Sequence, residues 1–163
     1  MINDASSSRK FSENYFSYLK ILIDELSIEN ISKFIELILQ TRENDKSIYF
    51  IGNGGSASTA SHFVNDISLG SRQFEKPFRA ISLCDNQAVI TAIGNDDGYE
   101  NIFLQQLQTQ AKSGDVLVSI SASGNSPNII KAVNWANSNN IQTVGLSAFD
   151  GGKLSKLVNL NIH

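Results

Sequence analysis

Two serine- and glycine-rich stretches carry the residues best suited to chemistry in this chain. In the first, Ile48–Asp66, an apolar run ends in Asn53, Gly54, Gly55 and Ser56 (IYFIGNGGSASTASHFVND). In the second, Ser119–Ser126 (SISASGNS), the serines Ser121, Ser123 and Ser126 follow the apolar segment DVLV. Hydroxyls and backbone N–H groups gathered at the start of a helix form a neutral cradle for phosphate that needs no lysine. Neither stretch is a P-loop, because no Lys-Ser/Thr pair follows the glycine, and Gly52–Ser56 lacks the G-x-G-x-x-G spacing of a dinucleotide site. Alone, the first stretch also reads as a glycine turn with a capped helix and no ligand. Two such turns, each opening from a strand, point to phosphate more strongly than one.

The first stretch continues into His62 and Asp66, which at i, i+4 share one helix face. Together they offer half of a zinc site, or a base with its orienting partner. The competing reading is a hydrogen-bonded helix histidine beside a solvated or capping acid. Asp85 and Asn86 follow a strand candidate, and Asn95, Asp96 and Asp97 precede Gly98. Their carboxylates are good acceptors for hydroxyls, and the same residues also suit plain turns.

The elements that must hold these residues follow from periodicity. Ile48–Ile51 is too short and too evenly apolar for a helix, which predicts a buried parallel strand. Ser56 reads as the N-cap of the next helix, whose apolar face is Ala57, Ala60, Phe63 and Val64. Upstream, residues 1–9 are polar and expected to fray. An amphipathic helix over 11–26 carries Phe11, Tyr15, Tyr18, Leu19, Leu22 and Ile23, and a second runs from Ile28 to Leu39. The aromatic first helix packs either on its own domain or on a copy of itself.

Downstream, strands are expected over 78–83, 115–120, 141–146 and 158–162. Helices are expected over 87–93 (ended by Gly94), 99–110, 127–138 (opened by Pro127) and 154–157. Trp135 is expected to pack its helix on the sheet. The alternation predicts an α/β fold with a doubly wound, five-stranded parallel sheet, flanking helices and two N-terminal helices, with ligands beyond the carboxyl ends of the strands.

Composition narrows the function classes. The chain has 163 residues, 41% hydrophobic and 18% charged, which fits one globular domain. A net charge of -3 with no basic stripe argues against nucleic acid as a partner. A single cysteine, Cys84, rules out an internal disulfide framework and a cysteine zinc cluster, and reads as a small core residue. No run approaches the ~20 apolar residues of a membrane span, and no signal-peptide pattern opens the chain. A cytoplasmic protein is the expectation, with no membrane partner.

GNGGSA followed by SHF, then AIGNDDGYENIF, then ISASGNSPNIIKA and GLSAFDGG, resembles the sugar isomerase (SIS) domain family, and within it the phosphoheptose isomerases. The resemblance covers roughly residues 45–163 and implies a single SIS domain over 1–163, with 1–44 a helical hairpin for oligomerisation and 45–163 the sheet core. It implies an aldose–ketose isomerase acting on sedoheptulose 7-phosphate in heptose biosynthesis. No cofactor is then required, zinc is an optional ligand, and assembly is a homodimer or homotetramer through the N-terminal helices. Phosphate would lie against Ser121, Ser123 and Ser126, with Asn53, Gly54 and Ser56 nearby. Asp85, Asn95 and Asp96 would reach the sugar, and Asp66 with His62 would supply the catalytic pair.

Two departures stand out. The family isomerases have glutamate where this chain has Asp66, and often threonine where it has Ala122. The resemblance also implies a helix after the fifth strand bearing glutamine and histidine ligands. The chain reaches only His163, which reads as a strand-end residue, so weak turnover by these residues is expected. The alternative function is a non-catalytic SIS protein, a phosphosugar sensor or protein-interaction factor.

Overall fold

The computed structural model describes residues 7–163. The fraying expected over 1–9 lies outside the described residues for 1–6. Ser7 is the extended N-cap of α1 (Ser8–Asp24), its hydroxyl accepting from the Lys10 N–H. Ser27 does the same for α2 (Ile28–Glu43) by accepting from Asn30 N–H.

Then come β1 (Ser47–Gly52), α3 (Gly55–Asn65), a π turn over Asp66–Gly70, β2 (Arg79–Ser82) and α4 (Gln87–Asp96). A 3-10 turn over Tyr99–Asn101 leads into α5 (Ile102–Gln110), β3 (Val116–Ser121), α6 (Pro127–Ser138), β4 (Gln142–Ser147), α7 (Leu154–Leu157) and β5 (Leu160–Ile162).

The five strands are parallel, in the order β2-β1-β3-β4-β5. Alternate side chains of the buried strands point to opposite faces, and each face has its own helices. Ile48, Phe50, Val116, Val118 and Val144 pack with Ile38 of α2 and Ala60, Phe63 and Val64 of α3. Tyr49, Ile51 and Leu117 pack under α5 and α6, through Phe103, Leu107, Ile129 and Val133. Trp135 joins that second cluster, as its sequence position suggests.

Two local expectations change. Gly94 does not stop α4; the helix continues to Asp96 and the chain reverses at Gly98. Asn95 and Asp96 are therefore helical rather than turn residues, because glycine costs a helix only about 1 kcal/mol and Ile93 anchors it in the core. Ser56 is not an N-cap: Gly54 holds that position and Ser56 lies within the first turn of α3.

The strand bases are tied by Asp115, only 4% exposed. Its carboxylate accepts from Ser47 N–H at 2.9 Å and Lys112 N–H at 2.8 Å. Replacing it with Ala leaves two amide donors without a partner. Urea unfolding of Asp115→Ala is expected to show a loss of about 2–3 kcal/mol.

Candidate functional site

The strand order leaves a crevice at the carboxyl ends of β1 and β3. From β1 the chain winds outward to β2, then crosses back to β3 on the other side of β1 and winds outward again to β5. The turns leaving β1 and β3 therefore diverge to opposite faces and leave a crevice at their carboxyl ends. Register pairs Gly52 with Ile120, so the turn after Gly52 and the turn after Ser121 sit side by side.

Both turns need glycine for close approach. A Cβ on Gly52 would lie 2.6 Å from the Ser56 carbonyl, so only glycine lets α3 start this close to β1. A Cβ on Gly124 would lie 2.0 Å from the Gly151 carbonyl oxygen, and its φ of +61 already disfavours other residues. The serine turn is thereby pressed onto the β4–α7 turn, where Leu154 N–H donates to Gly124 O at 2.9 Å and Ala148 N–H to Ala122 O at 3.1 Å.

Between the turns lies a cleft of about 740 Å³, lined by Asn53, Tyr99, Glu100, Ser126, Pro127, Asn128 and Lys131. Asn53 and Asn128 form a reciprocal amide pair across it, at 3.0 and 2.8 Å. Tyr99 donates its hydroxyl to the same Asn53 Oδ1 at 3.0 Å. Lys131 donates to Asn101 Oδ1 at 3.1 Å and faces Glu100 at 3.5 Å. A bond from its own backbone N–H, and then the Lys131 ammonium, hold the Glu100 carboxyl below its usual range. Ser126 stands at the N-cap of α6 without a side-chain capping bond, so its hydroxyl and the positive end of the helix are open to an anion.

Of the expected phosphate residues, Asn53 and Ser126 line this cleft. Ser121 is buried at the end of β3, and Ser123 sits in the turn, where its hydroxyl accepts from Asn125 N–H at 3.4 Å. Gly54 and Ser56 begin α3 on the neighbouring turn. Asp85 accepts a short hydrogen bond from Ser61 on α3. Asn95 and Asp96 are exposed at the end of α4, with Asn95 Nδ2 donating to Asp96 Oδ1 at 2.7 Å.

His62 and Asp66 do meet: Nε2 lies 3.4 Å from Oδ2, with the side chains 76% and 60% exposed. Asn65 Nδ2 holds the other carboxylate oxygen at 3.2 Å. Among the described residues no group of three or more His, Cys, Asp or Glu side chains gathers to hold a metal. His62 and Asp66 supply two of the four donors zinc usually takes.

His163 Nδ1 contacts the Ser147 hydroxyl at 3.0 Å. Cys84 is half-buried beside Gly52 O, and burial pushes its thiol pKa up, which keeps it from serving as a thiolate.

Sequence reading passed over Asn128, Glu100 and Lys131, and took Tyr99 only as a helix start. The available signal was Asn128 next to Pro127 at the helix opening, with Lys131 one turn further along the same helix.

The sequence pattern of the SIS domain matches residues 11–148. The phosphoheptose isomerase of Helicobacter hepaticus is 39% identical over 132 residues, covering 81% of this chain and 67% of that protein. That of Clostridium acetobutylicum is 41% identical over 134 residues, covering 82% and 68%. The structure of phosphoheptose isomerase from Neisseria gonorrhoeae superposes with a TM-score of 0.85 at 32% identity, covering 95% of this chain and 84% of that one.

Gly124→Ala is expected to separate the serine turn from the β4–α7 turn and to lower stability by about 2 kcal/mol or more. Thermal unfolding checks this, and the same variant should lose affinity for inorganic phosphate in calorimetry.

Proposed function

The chain belongs to the SIS domain family, and from that membership we propose that it is a phosphoheptose isomerase, interconverting sedoheptulose 7-phosphate and D-glycero-D-manno-heptose 7-phosphate. The observation that carries the reading is the meeting of two hydroxyl- and amide-bearing turns at the switch point of the sheet. The strong likeness to phosphoheptose isomerases supports it over a non-catalytic sensor. The reading carries a cytoplasmic location and a role in heptose supply.

In this reading the phosphate rests on Ser121, Ser123 and Ser126 at the start of α6, with Asn53, Gly54 and Ser56 opposite. The helix end and the hydroxyls neutralise it without a buried cation. Asp85, Asn95 and Asp96 accept from sugar hydroxyls.

Aldose–ketose exchange needs a base to take the proton from the carbon beside the carbonyl, and an acid to move protons on the enediol oxygens. Asp66 is the base and His62 orients its carboxylate, a role their 3.4 Å contact supports. Aspartate reaches one methylene less than the family's glutamate, so the sugar must lie closer to α3. Zinc, if taken up, would bind His62 and Asp66, which supply two of the four donors it usually takes.

Assembly follows from α1. None of its described side chains is buried, and Phe11, Tyr15, Phe16, Ile21, Leu22 and Ile23 are 41–67% exposed. So much apolar surface on one helix fits burial against a second copy of the chain, giving a homodimer or homotetramer.

An isomerisation assay on sedoheptulose 7-phosphate, with and without added zinc, tests the function. Asp66→Asn keeps the shape and removes the base, so kcat is expected to fall by about 100-fold or more. Activity retained in Asp66→Asn would refute the catalytic assignment. Ser126→Ala should weaken sugar-phosphate binding by about 1 kcal/mol in calorimetry. Light scattering is expected to give a dimer or tetramer that Phe11→Glu dissociates, because a buried unpaired charge cannot be accommodated.

A further inference from the structure

The amide pair across the cleft has a hydrogen-bond polarity that a single backbone group decides. Ile129 N–H, in the first turn of α6, can only donate, and it donates to Asn128 Oδ1 at 2.9 Å. That contact fixes which end of the buried Asn128 amide is oxygen. Its Nδ2 must then face Asn53 and donate to Asn53 Oδ1 at 2.8 Å. Asn53 Nδ2 in turn donates back to Asn128 Oδ1 at 3.0 Å. With Asn53 Oδ1 committed as an acceptor, the Tyr99 hydroxyl has one role left, donation to it at 3.0 Å.

Three separate elements are thereby bound through one side chain: the turn after β1, the opening of α6, and the 3-10 turn before α5. Asn128 is only 2% exposed, so losing this pairing leaves polar groups that water cannot readily reach. Tyr99 is 57% exposed, so its ring is not needed to fill the core.

We propose that Tyr99 and Asn128 are positioning residues that set, through Asn53, the spacing between the two turns of the sugar-phosphate site. The inference rests on the reading of that site given above. Neither residue has to touch the ligand. They act by holding Asn53, which continues directly into Gly54, Gly55 and Ser56, against the start of α6. A phosphate bridging the two turns gains from both only while their separation is fixed, because ordering them on binding costs affinity.

The test uses the intact protein with sedoheptulose 7-phosphate. Tyr99→Phe removes one hydroxyl from an exposed ring and is expected to fold normally. Its KM should rise about fivefold, the worth of one ordinary hydrogen bond, at unchanged kcat. Asn128→Ala should raise KM further, and adding Tyr99→Phe to it should change little, since members of one network are not additive.

In nitrogen–proton NMR spectra of the ligand-free protein, the backbone amides of Gly54, Gly55 and Ser56 should shift in both single variants. Altered stability with KM and these amides unchanged overturns the proposal, as does a fall in kcat at unchanged KM. If the wild-type protein neither binds nor converts the sugar phosphate, the function reading fails. The amides of the ligand-free variants still decide the positioning role, and unshifted amides overturn it.

Discussion

The pairing of β1 with β3 is the constraint on which the rest of the structure depends. The two strands adjoin in the sheet yet are separated in the chain by α3, β2, α4 and α5, and their register is held over Ile48–Gly52. Their side chains are almost wholly shielded from water on both faces, so a slip of one residue would send each apolar side chain to the opposite layer. Everything at the crevice inherits that register. The glycine turn and the serine turn are neighbours only because Gly52 pairs with Ile120 at the carboxyl ends of the two strands.

Around that pairing, polar groups do the joining that apolar packing cannot. Apolar burial sets which helices cover which face and is tolerant of small displacements. Amides, hydroxyls and a carboxylate fix distances at both ends of the sheet. Asp115 ties the strand bases, and the Asn53–Asn128–Tyr99 network ties the carboxyl ends. The exception is Ser119, whose hydroxyl is buried in β3 with no partner among the described residues. It sits between Val118 and Ile120, two residues before Ser121, where the strand ends.

Most of the fold was legible in the sequence because it depends on local period and turn chemistry. The run Ile48–Ile51, the opening of α6 at Pro127 and the pattern of α2 each point one way. Boundaries failed where a local rule met a tertiary demand: Gly94 is a helix breaker by propensity, but packing beside Ile93 carries α4 past it. The cleft was legible where its lining follows a strand, as with Asn53 and Ser126. It was not legible at Asn128, Tyr99 and Lys131, since each matters through a residue 30 or more positions away: Asn53 for Asn128 (75 apart) and Tyr99 (46 apart), and Asn101 for Lys131 (30 apart). Periodicity carries no information about such pairs. The His62–Asp66 contact was legible for the opposite reason, because it lies within one helix.

The π turn at Asp66 bears on how this chain can change in length. Ser71 N–H reaches back five residues to Asp66 O at 2.9 Å, one residue more than an α-helix allows. The extra residue rotates all that follows by about 100° relative to a continuous α-helix. A one-residue deletion within this turn would restore the regular helix and redirect the loop that leads to β2, leaving His62 and Asp66 themselves in place. The segment just after the carboxylate is thus a point where evolution by insertion and deletion can re-aim a loop over the crevice without moving His62 and Asp66.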